Sequence, residues 1–293
     1  MTGSDVELED EDVGERVDIV LVRRVAGLSR DRAKVLFSQG LVRVNGSRVK
    51  KSHRVVGGDR ITLAAIPASV DFDAQPDDSH GLRVIEETRD FVIVDKPVGV
   101  PSHPLVAAEV GTVANALVAR YPEMRGVGYH RREPGIIHRL DNDTSGLILA
   151  ARHARAFDAL VSLLRQGRID KHYRATCIGE VQAPQVIRSP IATDPHNRRR
   201  VRACVDAREA KRLGAQPAVT EVLQSTLESS GSIVDARATN ARRHQVRVHL
   251  ASIGHPLLGD ELYGAPEHPA GHHHLVASRM AFEWNDQRID VSI

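Results

Sequence analysis

The chain is short of cysteine, of aromatics and of long apolar runs, and each shortage removes a class of protein. Two cysteines in 293 residues, Cys177 and Cys204, stand outside any CxxC pair, so neither a disulfide framework nor a zinc knuckle is indicated. A reducing, cytoplasmic setting is the expectation. Aromatic residues make up 3%, too few for the broad stacking platform that single-strand binders use. No stretch approaches the roughly 18 apolar residues a membrane span needs. The opening MTGSDVELEDEDVGE lacks an apolar core segment and does not read as a secretory signal. With 27% charged and 41% hydrophobic residues, the composition is that of a folded, soluble chain, not a disordered or fibrous one.

A net charge of only +2 hides a partition. Residues 1–15 carry seven acidic side chains and no basic one. Residues 16–63 carry twelve Lys and Arg against three Asp, a local +9. Such a block is the footprint that phosphate backbones attract, although a merely solvated basic face has the same composition. The acidic stretch shows no apolar pattern and is expected to be a disordered tail.

Within 16–63, RVDIVLVRRV (16–25) reads as a short amphipathic helix. Ser29 is placed to cap a second one, with Ala33, Leu36 and Phe37 on one face and Gly40 as the stop. Two short strands, LVRV and SRV, then flank Asn45-Gly46, a strong hairpin signal, and Ile61–Leu63 closes a small sheet. This αββ order over LSRDRAKVLFSQGLVRVNGSRVKKSHRVVGGDRITL (28–63) resembles the small RNA-binding domain named after ribosomal protein S4. The resemblance implies that Arg30, Arg32, Lys34, Arg43, Lys50 and Lys51 face a structured RNA. It points to a partner and not to a reaction.

Residues 64–80, with two prolines, four aspartates and no periodicity, are expected to be a linker. From there to the C-terminus, 81–293, strands and helices alternate without a repeat, which makes the fold class α+β. LRVIEE and FVIVDK read as strands, TVANALVARY as a helix, and IIHRL and LILAAR as segments flanking the turn DNDTSG. FDALVSLLRQ reads as a helix, HYRATCIGEV as a strand, residues 217–240 as two more strands, and RHQVRVHLASIG as a helix closing at Gly254.

Two polar clusters carry the chemistry. HRLDNDTSGL (138–147) is a dense polar turn between two apolar strands, with Asp141 beside His138 and Arg139. Loops held by rigid elements are where reactive groups sit. A turn tied by Asx and hydroxyl hydrogen bonds would, however, use the same Asp143, Thr144 and Ser145. In ARRHQVRVHL (241–250), His244 and Arg247 are i,i+3 neighbours on a helix and share a face. Arg247 can pair with a carboxylate from elsewhere and hold it ionised, or form a purely structural ion pair.

At these residues IIHRLDNDTSGLILAAR resembles the signature of RNA pseudouridine synthases related to the ribosomal large-subunit synthases. Its HRLD start is similar to that branch, where the small-subunit branch usually has GRLD. DFVIVDKPVGVPSHP (90–104), KHYRATCIGEV (171–181) and RRHQVRVHLASIGHPLLGDELYG (242–264) agree in order and spacing, so the resemblance spans about 82–285. It implies a catalytic domain built on a mixed, largely antiparallel central sheet. It also implies roles. Asp141 is the catalytic carboxylate, Arg139 helps extrude the base, and Tyr173 stacks on the flipped uracil and assists proton removal at C5. Arg247 fixes Asp141 by a salt bridge, and Leu250 with its apolar neighbours closes the pocket. Arg242, Arg243 and His244 join the RNA-facing set. Two positions depart from the family pattern: Ala241 replaces the usual Gly and Arg243 the usual Thr.

The chemistry agrees with that reading. Uridine isomerisation breaks the N1–C1′ bond, turns the uracil and rejoins it through C5. Nothing is oxidised or lost, so no metal and no small-molecule cofactor is expected. One carboxylate suffices, whereas glycoside hydrolysis typically takes two and a water. The base is unreachable inside a helix and must be flipped out. His272–His274 lacks helical ligand spacing and is set aside as a polar strand edge, and HNRRRVR (196–202) reads as a basic loop that contacts RNA or is merely solvated. Lys96 reads as part of a rigid turn, and Cys177 as a core thiol. The expectation is a cytoplasmic, monomeric, cofactor-free synthase acting on structured RNA, foremost large-subunit ribosomal RNA, with no membrane contact. A synthase acting on transfer RNA, a non-catalytic RNA-binding or assembly factor, and a hydrolase pairing Asp141 with a second acid are the alternatives.

Overall fold

The computed structural model describes residues 4–25, 28, 30–63, 71–239 and 241–293, with the side chains of Ser4, Arg30, Asp31, Arg32 and Val35 left aside. It divides into two units, Met1–Asp71 and Phe72–Ile293. In the first, helix α1 (Val17–Arg24) buries Val17, Val20 and Leu21, the i,i+3,i+4 stripe of a one-sided helix. Helix α2 (Arg30–Ser38) adds Ala33 and Leu36 to the same core. Strands β2 (Val42–Val44) and β3 (Ser47–Arg48) are joined by Asn45 and Gly46, both left-handed at φ 50° and 80°, the turn that matches strand twist. β4 (Ile61–Leu63) lies antiparallel to β2.

The acidic stretch is not a disordered tail over its described residues. Ser4–Val6 forms strand β1 along the free edge of β4, giving the order β1-β4-β2-β3. Asp12 is fully buried and accepts hydrogen bonds from Arg23 and, at 2.8 Å, from Arg24 Nε. The acids that look solvated in the sequence answer the basic last turn of α1 and an unpaired sheet edge. Ser29 and residues 64–70 of the expected linker lie outside the described residues. Residues 72–80 belong to the second unit. Ala74 is buried in its core, Asp73 pairs with Arg131, and the Gln75 carbonyl accepts from Asn115 Nδ2 at 2.7 Å.

The second unit is built on a sheet of nine strands among the described residues. In chain order its elements are β5 (Arg83–Glu87), β6 (Phe91–Lys96), α3 (Val113–Arg120), β7 (Ser145–Ala151), α4 (Ala154–Arg165) and β8 (Asp170–Cys177). There follow β9 (Gln185–Ile187), β10 (Ile191–Thr193), β11 (Val201–Ala203), α5 (Ala207–Leu213), β12 (Thr220–Glu228), β13 (Gly231–Arg237), α6 (Gln245–Ser252), β14 (Leu275–Trp284) and β15 (Gln287–Ser292). The sheet order is β5-β6-β7-β14-β8-β13-β12-β9, with β15 also on β14, and β10 and β11 form a separate two-stranded ribbon. Among the described residues the pairing is antiparallel except between β7 and β14.

Both faces of the sheet are covered, which is why β6 and β7 read as unbroken apolar runs. Val92, Val94, Ile148 and Ala150 face one core with α3, and Phe91, Ile93, Leu147 and Leu149 face the other with α4. IIHRL is not a strand. Ile136 bridges Ala150, but the Leu149 N–H goes to the His138 ring Nε2 at 3.3 Å instead of a carbonyl, so the ladder stops. The chain is thereby freed to turn at Asp141. The described residues include no helix long and apolar enough to cross a membrane.

Candidate active site

The loop 138–144 leaves the sheet at the start of β7 and is tied down along its length. Ser102 Oγ accepts from Leu140 N at 3.1 Å and donates to Leu140 O at 3.0 Å. The Asn142 carbonyl accepts from Gly99 N at 2.9 Å and from Lys96 Nζ at 2.6 Å. Lys96, wholly buried, also donates to the carbonyls of Pro97 and Val100, so it laces the Pro97–Val100 turn to the Asp141 loop. Burial pushes its amine down to about 8, against the opposing pull of Asp143 and Asp141. Beyond Asp141, the Thr144 hydroxyl meets His273 Nε2 at 2.8 Å. Asp141 thus stands on a braced loop.

Arg247 reaches it from the buried helix α6. Arg247 Nη1 donates to Asp141 Oδ2 at 2.9 Å, while its Nε and Nη2 hold both oxygens of Asp260 at 2.7 and 2.9 Å. Planar, forked donors are suited to this bridging of two carboxylates. Burial alone lowers the guanidinium pKa, but Asp260 and Asp141 hold it above its ordinary value. His244, capping α6 with left-handed backbone at φ 53°, puts Nε2 3.7 Å from Asp141 Oδ1.

Two adjoining cavities share Arg139, Asp141, Arg243, His244 and Arg247 in their walls. The larger, about 710 Å³, is rimmed by Arg139, Arg199 and Arg243. The smaller, about 380 Å³, is the size of a small-molecule pocket and is walled by Ile137, Tyr173, Val246 and Leu275, with Lys171 and His138. Burial, with the charge of Asp141 added, raises the Tyr173 phenol above its ordinary pKa. In that state it offers a stacking face and a hydroxyl, not a phenolate. Burial pushes Lys171 down to about 8, and burial with Lys171 nearby holds His138 well below its ordinary value.

Asp141, Tyr173, Arg139 and Arg247 therefore converge on one place, as do Arg243 and His244. Arg139 is exposed at the mouth, where its Nη1 lies 3.1 Å from His103 Nε2. Arg242 is exposed beside the smaller cavity. Leu250 is buried in the core and lines neither cavity; Val246 and Leu275 form the apolar wall instead. In the first unit, Lys34, Lys50 and Lys51 are exposed, and Arg43 is half-buried and donates to the Gly46 carbonyl. The side chains of Arg30 and Arg32 lie outside the described residues. The basic loop joins β10 to β11, and its Arg198 carbonyl accepts from Arg243 Nη2 at 2.8 Å. His272 and His274 stack, His273 is buried against Thr144, and the three precede β14 instead of edging it. Among the described residues no group of His, Cys, Asp or Glu is placed to hold a metal. Cys177 is buried in β8, its thiol pushed up to about 12 by burial.

Sequence reasoning missed Asp260, Lys171, His103 and the brace of Lys96. Asp260 lies 13 residues after Arg247, across a turn, a separation with no helical or strand periodicity to betray it.

Comparison with known proteins gives the same outline. Residues 90–252 match the family model described as RNA pseudouridylate synthase, and residues 15–61 match the S4 domain. A ribosomal large subunit pseudouridine synthase D of Neisseria meningitidis is 32% identical over 258 residues, 88% of this chain and 66% of that protein. This chain thus spans just under two thirds of that relative's length. The protein of the same name from Haemophilus ducreyi is 35% identical over 262 residues, 88% of this chain and 76% of its own. Among solved structures, human RNA Pseudouridylate Synthase Domain Containing 1 shares the fold with a TM-score of 0.54 at 22% identity, covering 78% of this chain and 85% of that one.

Proposed function

The chain belongs to the RNA pseudouridylate synthase family, and we propose that it converts uridine to pseudouridine in ribosomal RNA of the large subunit, with Asp141 as the reacting carboxylate. The observation that carries this reading is the Asp141–Arg247–Asp260 bridge at the junction of the two cavities. It keeps one carboxylate aimed and only a quarter exposed. A flipped uracil fits the smaller, partly apolar cavity, with Tyr173 against its face and Arg139 at the entrance to occupy the vacated stack. Asp141 acts on the ribose while the N1–C1′ bond breaks, and the walls hold the freed uracil as it turns to present C5. Enclosure also keeps water from the broken link, which would otherwise hydrolyse.

Asp260 shares Arg247 with Asp141, and both its oxygens are held by that guanidinium, so it is not free to serve as the second acid of a hydrolase. The large-subunit substrate is supported by the names of the relatives, and docking of structured RNA by the S4 match with its exposed Lys34, Lys50 and Lys51. The test uses ribosomal RNA carrying tritium at uridine C5, which is released when the new C–C bond forms. Wild type is expected to release tritium, and Asp141→Asn to bind the RNA with near-normal affinity and release none. Turnover by Asp141→Asn near the wild-type rate would remove Asp141 from the chemistry, and no release by wild type from ribosomal or transfer RNA would favour a non-catalytic binding factor.

A further inference from the structure

His244 stands at both cavities, where the sequence suggests an RNA contact, yet its hydrogen bonds point inward. The backbone N–H of Val201 donates to the Tyr263 hydroxyl oxygen at 3.0 Å. The same hydroxyl lies 2.8 Å from His244 Nδ1, with the two rings edge to face. A backbone amide can only donate, and a phenolic oxygen already accepting one N–H is a poor acceptor for another. Among the described contacts, the Tyr263 hydrogen has no acceptor besides Nδ1. Nδ1 therefore accepts, and the imidazole carries its hydrogen on Nε2. That nitrogen faces Asp141 Oδ1 at 3.7 Å, while Arg247 holds the other oxygen, Oδ2.

We propose that His244 is a positioning residue for Asp141, kept by Tyr263 in the tautomer that presents an N–H to the carboxylate oxygen Arg247 leaves free. With Oδ2 alone anchored, the carboxylate can swing about that single bond; a second donor on the other side fixes its plane. A distance of 3.7 Å is beyond hydrogen-bond length, and such contacts commonly close when substrate fills a site. The opposite tautomer would put a lone pair against a carboxylate and repel it. Burial pushes the imidazole down to about 4, so the ring stays neutral and the tautomer carries the effect. Tyr263 is itself fixed by Val201 on the basic ribbon and packs under the Arg247 and Arg200 guanidinium groups. The ribbon bearing HNRRRVR thereby connects to the orientation of the carboxylate.

The activity readout rests on the synthase reading, so the test also has one that does not. Nitrogen-15 NMR of the imidazoles in the full chain is expected to show His244 with its hydrogen on Nε2, and to lose that preference in Tyr263→Phe. In the tritium assay, His244→Phe is expected to lower kcat about 10- to 100-fold, as for loss of a hydrogen bond to a charged group, with KM for RNA unchanged. His244→Gln, whose amide nitrogen can occupy the place of Nε2, is expected to restore most of that rate. Tyr263→Phe should slow the wild-type background several-fold more than it slows the His244→Gln background, because an amide has no tautomer to fix. A hydrogen found on Nδ1, a change in KM alone, or equal losses from Tyr263→Phe in both backgrounds would each overturn the proposal. Absence of turnover in wild type would count against the synthase reading, and the NMR result would still decide the tautomer.

Discussion

Asp260→Asn isolates what the second carboxylate does for the first. Asp260 is 2% exposed and accepts two charge-assisted bonds from Arg247, at 2.7 and 2.9 Å. Asparagine keeps the shape and one acceptor, but turns an N–H₂ toward an Arg247 N–H. One bond to a charged group is lost, about 1.5–3 kcal/mol, and two buried donors are left facing each other. Full rupture of a buried pair costs about 3–5 kcal/mol, which sets the ceiling, because Asp141 still neutralises Arg247. The expected loss is about 2–4 kcal/mol. A unit of this size loses roughly 2–4 °C per kcal/mol, so its Tm should fall by about 5–15 °C in calorimetry of the full chain. Turnover should fall too, with RNA affinity held, because Arg247 is no longer anchored on the side away from Asp141. A variant that melts within about 2 °C of wild type and keeps its kcat would refute the anchoring argument.

Three further perturbations follow from the same geometry. Burial lowers Lys171 from 10.5 to about 8, so between those values the unfolded chain holds a proton the folded chain has released, and this group's contribution to stability rises with pH. Lys171→Met is expected to exceed wild-type stability at pH 7 by up to about 3 kcal/mol, an advantage that shrinks toward pH 10; denaturation midpoints giving a pH-independent gap would reject the assignment. Gly146→Ala would set a methyl group 2.3 Å from the Ala277 carbonyl at a backbone φ of 111°, so a loss of at least about 2 kcal/mol is expected, and a wild-type melting curve would contradict the close approach of β7 and β14. Replacing the exposed Lys50 and Lys51 by Gln should lower the slope of log affinity against log salt by about 1.5 in RNA titrations, and an unchanged slope would exclude these lysines from the phosphate interface.

The parts legible in the sequence are those with short-range signals. Asn45-Gly46 declares its hairpin because only certain residues tolerate two successive left-handed positions. The unbroken apolar runs FVIV and LILAA mark strands buried on both faces. Arg247 is visible as a helix residue able to meet a carboxylate from elsewhere, and it meets Asp141, whereas His244, read as its neighbour on the helix, caps that helix in left-handed conformation instead of lying within it. What stays hidden depends on separation in the chain. The acidic N-terminal stretch has no pattern of its own, and becomes ordered only against the edge of β4 and the arginines of α1. IIHRL has strand composition, but a ring nitrogen takes the place of a carbonyl. Asp260, Lys171 and Thr144–His273 matter through partners that no local period connects to them.

The single parallel pairing among the described strands sets an order in time. β14 aligns Val276 with Ser145, His273 meets Thr144 across 129 positions, and Arg247 meets Asp141 across 106. A chain emerging from the ribosome has completed β4 of its first unit by residue 63. It exposes Asp141 and Tyr173 midway, still without the arginine that pairs with one or the strand that flanks the other. The Asp141–Arg247–Asp260 bridge is therefore assembled among the last things made. The first unit can be complete before the walls of the cavities in the second exist, and the surroundings of Asp141 wait for β14 to close the sheet.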